Sequence, residues 1–264
     1  MTIDYPSLAL VAHDMADAAR SAILPHFRSL SLATDNKDAD GYDPVTVADR
    51  AAERAMRDVL AAQRPKDAIL GEEYGAAAGE SGLTWVLDPI DGTRGFVAGT
   101  PTWGVLIAVG PEGGPGLGLI DQPYIGERFV GFDGQAEIIG PTGRQRLATR
   151  PARDLSEATL FTTFPEVGTA EDRAAFERVA ARARLTRYGM DCYAYALVAA
   201  GQADLVIEAG LNAYDIQAPI ALIEAAGGVV TDWAGGPAHA GGRALAAANP
   251  EIHAQALALL QVAS

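Results

Sequence analysis

Apolar residues recur at three- and four-residue intervals through residues 5–30, which predicts an amphipathic helix. A second helical stripe covers Ala51–Leu60, and Pro44 is expected in the first turn of that helix, where proline is favoured. The short apolar runs Ala68–Leu70 and Trp85–Leu87 are typical of buried strands. The small residues between these two runs indicate a loop.

The middle of the chain predicts an antiparallel meander, because four short apolar runs alternate with turn residues. These runs are Trp103–Val109, Leu117–Ile120, Arg128–Phe132 and Ala136–Ile139. Beyond a change of composition near residues 140–150, strands alternate with helices. The predicted strands are Thr159–Thr162, Leu205–Glu208, Val229–Thr231 and Leu245–Ala247, and the predicted helices are Ala170–Ala183, Cys192–Ala200, Ile216–Ala226 and Pro250–Val262. The pattern favours a layered α/β fold whose two halves, residues 1–145 and 146–264, form one compact unit.

Composition narrows the possible partners. The chain has 264 residues, of which 49% are hydrophobic, and a formal net charge of −14. No run of basic residues is present, so we expect neither nucleic acid nor a membrane as a partner. Cys192 is the only cysteine, so no intramolecular disulfide can form, and the chain shows neither a signal-peptide pattern nor an apolar run long enough to span a bilayer. We therefore expect a cytoplasmic protein.

The segment Asp88-Pro-Ile-Asp-Gly-Thr93, directly after a predicted strand, carries the clearest chemistry. Pro89 cannot donate a ladder hydrogen bond, so the strand is expected to stop there and to leave the carbonyl of Ile90 available as an oxygen ligand. Hard cations prefer oxygen ligands. Gly92 and Thr93 follow at a predicted helix start, where unsatisfied N–H groups can bind phosphate. A turn with an N-capping aspartate is the plainer interpretation of a single Asp-Gly pair.

Further carboxylates stand at the ends of other elements. Glu72 and Glu73 follow the first short strand, and we expect Glu72 to reach the same site as Asp88, with Glu73 as the alternative. Asp215 directly precedes a predicted helix and is either its N-cap or another ligand. Several carboxylates around one phosphate would repel it unless divalent cations lay between them. Together they indicate a metal-dependent phosphate enzyme.

Two polar residues nearer the N-terminus would be functional only if the fold brings them to this site. Asp49 is either a charge on the helix surface or a member of the site, and Lys37 lies in a polar loop.

Other catalytic classes receive little support from the sequence. The chain has no Gly-x-Ser-x-Gly elbow, no Walker-type phosphate loop, and no zinc spacing among its four histidines.

Three motifs, taken in order, resemble those of the inositol monophosphatase family of magnesium-dependent, lithium-sensitive phosphatases. They are Gly71-Glu72-Glu73, Asp88-Pro-Ile-Asp-Gly-Thr93, and Tyr214-Asp215 leading to Glu224-Ala-Ala-Gly-Gly228. The resemblance covers nearly the whole chain. It implies an α-β-α-β-α sandwich of the inositol monophosphatase and fructose-1,6-bisphosphatase type, commonly dimeric, so a homodimer is expected.

The resemblance also implies roles for individual residues. The ligands of two or three Mg²⁺ ions would be Glu72, Asp88, the Ile90 carbonyl, Asp91 and Asp215. Gly92 and Thr93 would bind the phosphate. Asp49, Glu72 and Thr93 would be catalytic, because they would orient the attacking water. Lys37 lies near the place of a family lysine, although the loop is longer in this chain.

The residues around these motifs resemble the histidinol-phosphate phosphatase branch. The resemblance lies in Arg94 and the run up to Gly104, in Met190–Tyr195 and in Glu208–Asp215, while Gly95 replaces the usual alanine. The candidate substrate-binding residues are Arg94, Asp191 and Glu208. Histidinol phosphate carries an ammonium and an imidazole group, and two carboxylates can hold these through charge-assisted hydrogen bonds. Alternatively, Asp191 caps the helix that starts at Cys192.

The sequence therefore predicts a Mg²⁺-dependent phosphomonoesterase that hydrolyses histidinol phosphate, a small phosphate monoester, in histidine biosynthesis. An inositol-1-phosphate or broad sugar-phosphate phosphatase of the same family is the alternative. A catalytically silent binding protein on the same fold is disfavoured, because every expected ligand position still carries an oxygen.

Overall fold

The computed structural model describes residues 3–29, 34–36 and 44–262. Lys37 lies outside the described residues. The elements of the first half are α1 Tyr5–Ile23, β1 Thr34–Asn36, β2 Pro44–Thr46, α2 Val47–Gln63, β3 Ala68–Gly71, β4 Gly75–Ala77, β5 Thr84–Asp91, α3 Thr93–Ala98, β6 Gly104–Gly110, β7 Leu117–Gln122, β8 Glu127–Phe132, β9 Gln135–Gly140 and β10 Gly143–Arg146. The elements of the second half are β11 Thr159–Thr162, α4 Ala170–Ala180, β12 Leu185–Tyr188, α5 Asp191–Ala199, β13 Leu205–Leu211, α6 Ala213–Ala225, β14 Val229–Thr231, β15 Gly242–Ala247 and α7 Pro250–Leu260.

Two mixed sheets form the frame, and β1 and β2 form a separate antiparallel pair. The larger sheet has eight strands in the order β10-β9-β8-β7-β6-β5-β3-β4, and all neighbours are antiparallel except β3 and β5. The smaller has five strands in the order β12-β11-β13-β15-β14, and β11 runs parallel to both of its neighbours. The predicted meander is the antiparallel run from β6 to β9. The proposed division after residue 145 falls near the end of β10 and stays a prediction.

Helices separate and cover the two sheets, which gives five layers. The buried stripe of α1, which includes Leu8, Met15 and Ala19, packs with α2 on the outer face of the large sheet. Helices α5 and α6 lie between the sheets, and α4 with α7 covers the small sheet. The architecture is the expected α-β-α-β-α sandwich. None of the described helices is both long and apolar enough to cross a membrane.

Two expectations about prolines are wrong, because each proline lies within a strand. Pro44 lies in β2, outside the helix, and α2 begins only at Val47, after Thr46 has capped it through the N–H of Ala48. Strand β5 does not stop at Pro89 but runs on to Asp91 through an irregularity in its pairing with β6. One extra residue of β5 lies in that bulge, where the ladder does not need the missing N–H of proline.

Several short strands were not predicted. Besides the pair β1 and β2, strand β4 lies within the expected loop, β10 lies in the region of changed composition, and β12 follows α4. The last three lie at the edges of their sheets. Their residues are mostly exposed, so they carry no apolar run by which the sequence would reveal them.

Candidate active site

The bulge at the end of β5 delivers the central acidic residues. Asp88 is buried, and its Oδ1 accepts the N–H of Ile90 at 3.0 Å. After Gly92, which has a left-handed φ of 85°, the chain turns into α3. The hydroxyl of Thr93 then donates to the carbonyl of Ile90 at 3.0 Å. The bulge thus brings two carboxylates, a backbone carbonyl and the start of a helix together in one short segment.

A buried glutamate shapes the neighbouring turn that carries Glu72. Glu53 Oε2 accepts the N–H of Glu73 at 2.6 Å, and its Oε1 accepts the N–H of Tyr74 at 3.2 Å. A Cβ on Gly71 would overlap Glu53 Oε1, so any larger residue there would have to displace the Glu53 carboxylate. Glu73 turns toward Arg50, with a 3.9 Å ion-pair distance, and the cavity described below is lined by Glu72. Of the two candidates, the structure therefore places Glu72 in the site.

Asp215 reaches the same point from the start of α6. Asn212 is the N-cap of this helix, and Asp215 is its third residue, so the N-cap interpretation of Asp215 is wrong. Asp215 Oδ2 accepts the N–H of Asn212 at 2.7 Å, which completes a capping box. This bond fixes the carboxylate at the helix start.

Asp88, Asp91 and Asp215 form a compact acidic cluster in which one oxygen of each lies within 4.8 Å of the others. Burial raises the pKa of Asp88 well above its ordinary value, and the charges of Glu72, Asp91 and Asp215 raise it further. A divalent cation would relieve this repulsion, and all the donors are hard oxygens. The residues therefore fit a site for a hard divalent cation.

Two further carboxylates, Asp191 and Glu208, line the cavity beside this cluster and form what we call the acidic wall. Burial raises the pKa of Asp91 well above its ordinary value, and the charges of Asp191 and Asp215 raise it further. The cluster and the wall line one cavity of about 280 Å³. Ten of the eleven predicted site residues line it: Glu72, Asp88, Ile90, Asp91, Gly92, Thr93, Arg94, Asp191, Glu208 and Asp215. The structure thus brings together carboxylates that are far apart in the sequence.

Asp49 is the predicted residue that does not line this cavity. It is buried at the start of α2, where its Oδ2 accepts the backbone N–H of Thr46 at 2.8 Å and the hydroxyl of Thr46 at 2.6 Å. Burial raises the pKa of Asp49 to about 6, against the opposing effect of these hydrogen bonds. Within the described part of the chain, no hydrogen bond joins Asp49 to Thr93.

Asp191 lines the cavity beside the acidic cluster. It is the first residue of α5 and has a left-handed φ of 46°. In the described part of the chain, no N–H group of α5 donates to the Asp191 side chain; instead, Asp91 Oδ2 accepts the N–H of Cys192 at 2.6 Å. The capping interpretation of Asp191 is therefore wrong. Burial raises the pKa of Asp191 to about 6, and the charge of Arg94 opposes this rise.

The close approach of this wall explains the glycine that follows Asp91. A Cβ on Gly92 would lie 2.8 Å from Cγ of Asp191. The left-handed backbone of Gly92 disfavours a side chain for a second reason. Gly92 therefore lets the acidic wall and the start of α3 face each other across a short gap.

Glu208 completes the same wall from β13. Its Oε1 accepts both the N–H of Thr163, at 2.9 Å, and the hydroxyl of Thr163, at 2.8 Å. Burial raises the pKa of Glu208 to about 7, although the hydrogen bond from Thr163 lowers it in part. Nearby, the guanidinium of Arg94 lies 4.8 Å from the centre of the Phe164 ring.

Several residues of the cavity were not predicted from the sequence. Those that matter most are Thr163, Phe164, Tyr195 and Tyr214. Thr163 and Phe164 follow the end of β11, so the rule that found Glu72 and Asp88 at strand ends would also have found them. Tyr195 lies four residues after Asp191 on α5 and therefore on the same helix face. No sequence pattern attached function to that helix face.

The geometry agrees with the comparisons with known proteins. Residues 4–264 match the inositol monophosphatase family. The chain is 41% identical to the bifunctional phosphatase IMPL2, chloroplastic, of Arabidopsis thaliana, over 96% of this chain and 75% of that protein. It is 35% identical to a histidinol-phosphatase of Streptomyces coelicolor, over 97% and 98% of the two chains. An inositol monophosphatase structure from Zymomonas mobilis superposes with a TM-score of 0.87 at 38% identity, covering 99% of this chain and 100% of that one. The chain belongs to the inositol monophosphatase family, a family of phosphatases.

Proposed function

We propose that this phosphatase is Mg²⁺-dependent and hydrolyses histidinol phosphate to histidinol and phosphate. The observation that carries the proposal is a pair of carboxylates, Asp191 and Glu208, which line the same cavity as the acidic cluster. A neutral polyol does not need two carboxylates at that place. An alcohol with an ammonium and an imidazole group can use both, through charge-assisted hydrogen bonds. The histidinol-phosphatase of Streptomyces coelicolor, similar over nearly its whole length, supports the same substrate.

The metal site follows from the donor set. Glu72, Asp88, Asp91, Asp215 and the carbonyl of Ile90 would hold Mg²⁺, which when bound lowers the pKa of a coordinated water and stabilises charge on the phosphoryl oxygens. The number of ions, two or three, stays a prediction.

The chain's own residues bind and orient the reactants. Gly92 and Thr93 offer backbone N–H groups at the start of α3, and these groups bind the phosphate oxygens. The Thr93 hydroxyl donates its hydrogen to the Ile90 carbonyl, so its oxygen is left to accept a hydrogen bond from the attacking water. Glu72 accepts a second hydrogen bond from that water. We assign Asp49 a supporting role in this arrangement, from the start of α2.

The substrate residues act on the leaving alcohol. Asp191 and Glu208 hold its cationic groups and so fix the phosphate ester relative to the attacking water. Arg94 is the second residue of α3, its guanidinium lies 4.8 Å from the centre of the Phe164 ring, and its charge acts on Asp191. We propose that Arg94 balances the charge of Asp191 until the cationic substrate binds.

A phosphate-release panel tests the function. The panel compares histidinol phosphate, inositol 1-phosphate and a sugar phosphate, each with Mg²⁺ and with a chelator. We expect histidinol phosphate to have the highest kcat/KM and the chelator to remove activity on every substrate. Faster turnover of inositol 1-phosphate would refute histidinol phosphate as the preferred substrate. Full activity with the chelator would refute the metal dependence. The homodimer and the cytoplasmic location stay predictions.

A further inference from the structure

Glu208 is held from one side only. Its Oε1 receives two hydrogen bonds from one residue, from the N–H of Thr163 at 2.9 Å and from the hydroxyl of Thr163 at 2.8 Å. Two donors from one residue fix both the position and the plane of the carboxylate. Glu208 is 8% exposed, so its side chain has little room to turn elsewhere.

The other oxygen, Oε2, is therefore left for the cavity. Within the described part of the chain, no N–H group or hydroxyl donates a hydrogen bond to it, and Glu208 is one of the residues that line the cavity. A carboxylate that is held in place on the wall of a cavity and has one oxygen without a donor suits a charged donor of a ligand, since a hydrogen bond between ionised groups is stronger than one between neutral groups.

We propose that Thr163 is a positioning residue whose hydroxyl fixes Glu208 so that Oε2 receives a cationic group of the substrate alcohol. Thr163 thereby sets the preference of the enzyme for phosphate monoesters of positively charged alcohols. This inference rests on the proposed function, because it concerns the alcohol part of the same substrate. Thr163 itself does not contact the reacting atoms.

The hydroxyl of Thr163 is not needed to fill the core. Thr163 is only half-buried and lies just beyond the end of β11, and its backbone N–H remains as a donor when the hydroxyl is removed. Thr163→Val keeps the shape of the side chain but loses the second hydrogen bond to Glu208, and Thr163→Ser restores a hydroxyl. Thr162→Val is the matched control, because Thr162 is the neighbouring buried residue of β11 and donates no hydrogen bond to Glu208.

The test measures steady-state phosphate release with saturating Mg²⁺ on two cationic esters, histidinol phosphate and O-phosphoethanolamine, and one neutral ester, glycerol 2-phosphate. We expect Thr163→Val to raise KM for the cationic esters about tenfold, the effect of one hydrogen bond to a charged group. Its kcat, its KM for glycerol 2-phosphate and its melting temperature should stay near wild type. Thr163→Ser should recover most of the lost preference, and Thr162→Val should retain it.

The possible failures are distinct. An unchanged ratio of KM values in Thr163→Val, or an equal loss on cationic and neutral esters, overturns the positioning role while the proposed function stands. A wild-type enzyme that prefers neither cationic ester overturns both the role of Thr163 and the histidinol-phosphate assignment, even if it hydrolyses glycerol 2-phosphate. A wild-type enzyme that acts on O-phosphoethanolamine but not on histidinol phosphate refutes only the histidinol-phosphate assignment. The KM values of the variants for O-phosphoethanolamine and glycerol 2-phosphate then decide the role of Thr163.

Discussion

Asp91 Oδ2 accepts the backbone N–H of Cys192 at 2.6 Å, and this hydrogen bond joins the end of β5 to the start of α5. The bond links the large sheet to the helical layer between the sheets. It uses one oxygen of Asp91, and Asp91 also belongs to the acidic cluster with Asp88 and Asp215. Because Asp191 directly precedes Cys192, the same contact sets the distance between the acidic cluster and Asp191.

This double use of Asp91 predicts the effect of Asp91→Asn. The amide oxygen can still accept the N–H of Cys192, so the fold should survive, but the lost charge should weaken metal binding. We expect Mg²⁺-dependent phosphate release to fall by at least about 100-fold, the scale of losing a group that supports transition-state charge. Circular dichroism should show an intact fold. Asp232→Asn, outside the cavity, is the control, and retained activity in Asp91→Asn would refute the metal role.

The turn that carries Glu72 predicts a sensitive glycine. A Cβ on Gly71 would overlap Glu53 Oε1, so Gly71→Ala should displace either the buried Glu53 or the turn. We expect a loss of about 1–3 kcal/mol in the free energy of unfolding, typical of overpacking, and a higher Mg²⁺ concentration for half-maximal activity. Urea unfolding and a Mg²⁺ titration measure the two effects. Gly113→Ala has open space around its Cβ and should change neither.

Loss of the hydroxyl should change the melting temperature differently at two tyrosines of α5. The hydroxyl of Tyr195 is buried and has no hydrogen-bond partner within the described part of the chain, while that of Tyr193 donates to Glu127. An unpaired buried polar group costs stability, so Tyr195→Phe should leave the melting temperature unchanged or raise it. Tyr193→Phe should lower it. A clear loss of stability in Tyr195→Phe would show that its hydroxyl has a partner in the folded protein.

The sequence predicted the elements that carry continuous apolar patterns and the carboxylates that follow them. Glu72, Asp88 and Asp215 stand at the ends of such elements, so each could be assigned to a site before any contact was known. The long helices and the central meander were found in the same way. What periodicity could not show was β4, β10 and β12, whose residues are largely exposed.

Tertiary hydrogen bonds were also beyond the sequence. The capping of α5 depends on Asp91, which is distant along the chain, so Asp191 was a reasonable but incorrect candidate for the cap. Pro89 was expected to end a strand, because a bulge that accommodates proline leaves no local pattern. The hydrogen bond from Thr163 to Glu208, between the end of β11 and the neighbouring strand β13, is another tertiary contact that no local pattern indicates.

The buried carboxyl of Glu208 predicts a pH dependence of stability in the metal-free protein. Burial raises the pKa of Glu208 from its ordinary value of 4.5 to about 7. A raised pKa means that folding favours the protonated form, so this contribution is fully present below pH 4.5 and is lost as the pH rises through 7. The lost contribution is on the order of 3 kcal/mol.

Urea unfolding with a chelator at pH 5 and at pH 8 measures this loss. Glu208→Gln carries a neutral side chain whose oxygen can still accept from Thr163, so its stability should fall less between the two pH values than that of wild type. Glu112→Gln, at an exposed turn, is the control and should follow the wild-type profile. Parallel profiles for wild type and Glu208→Gln would mean that Glu208 titrates alike in the folded and unfolded chains, which would contradict its burial in an acidic wall.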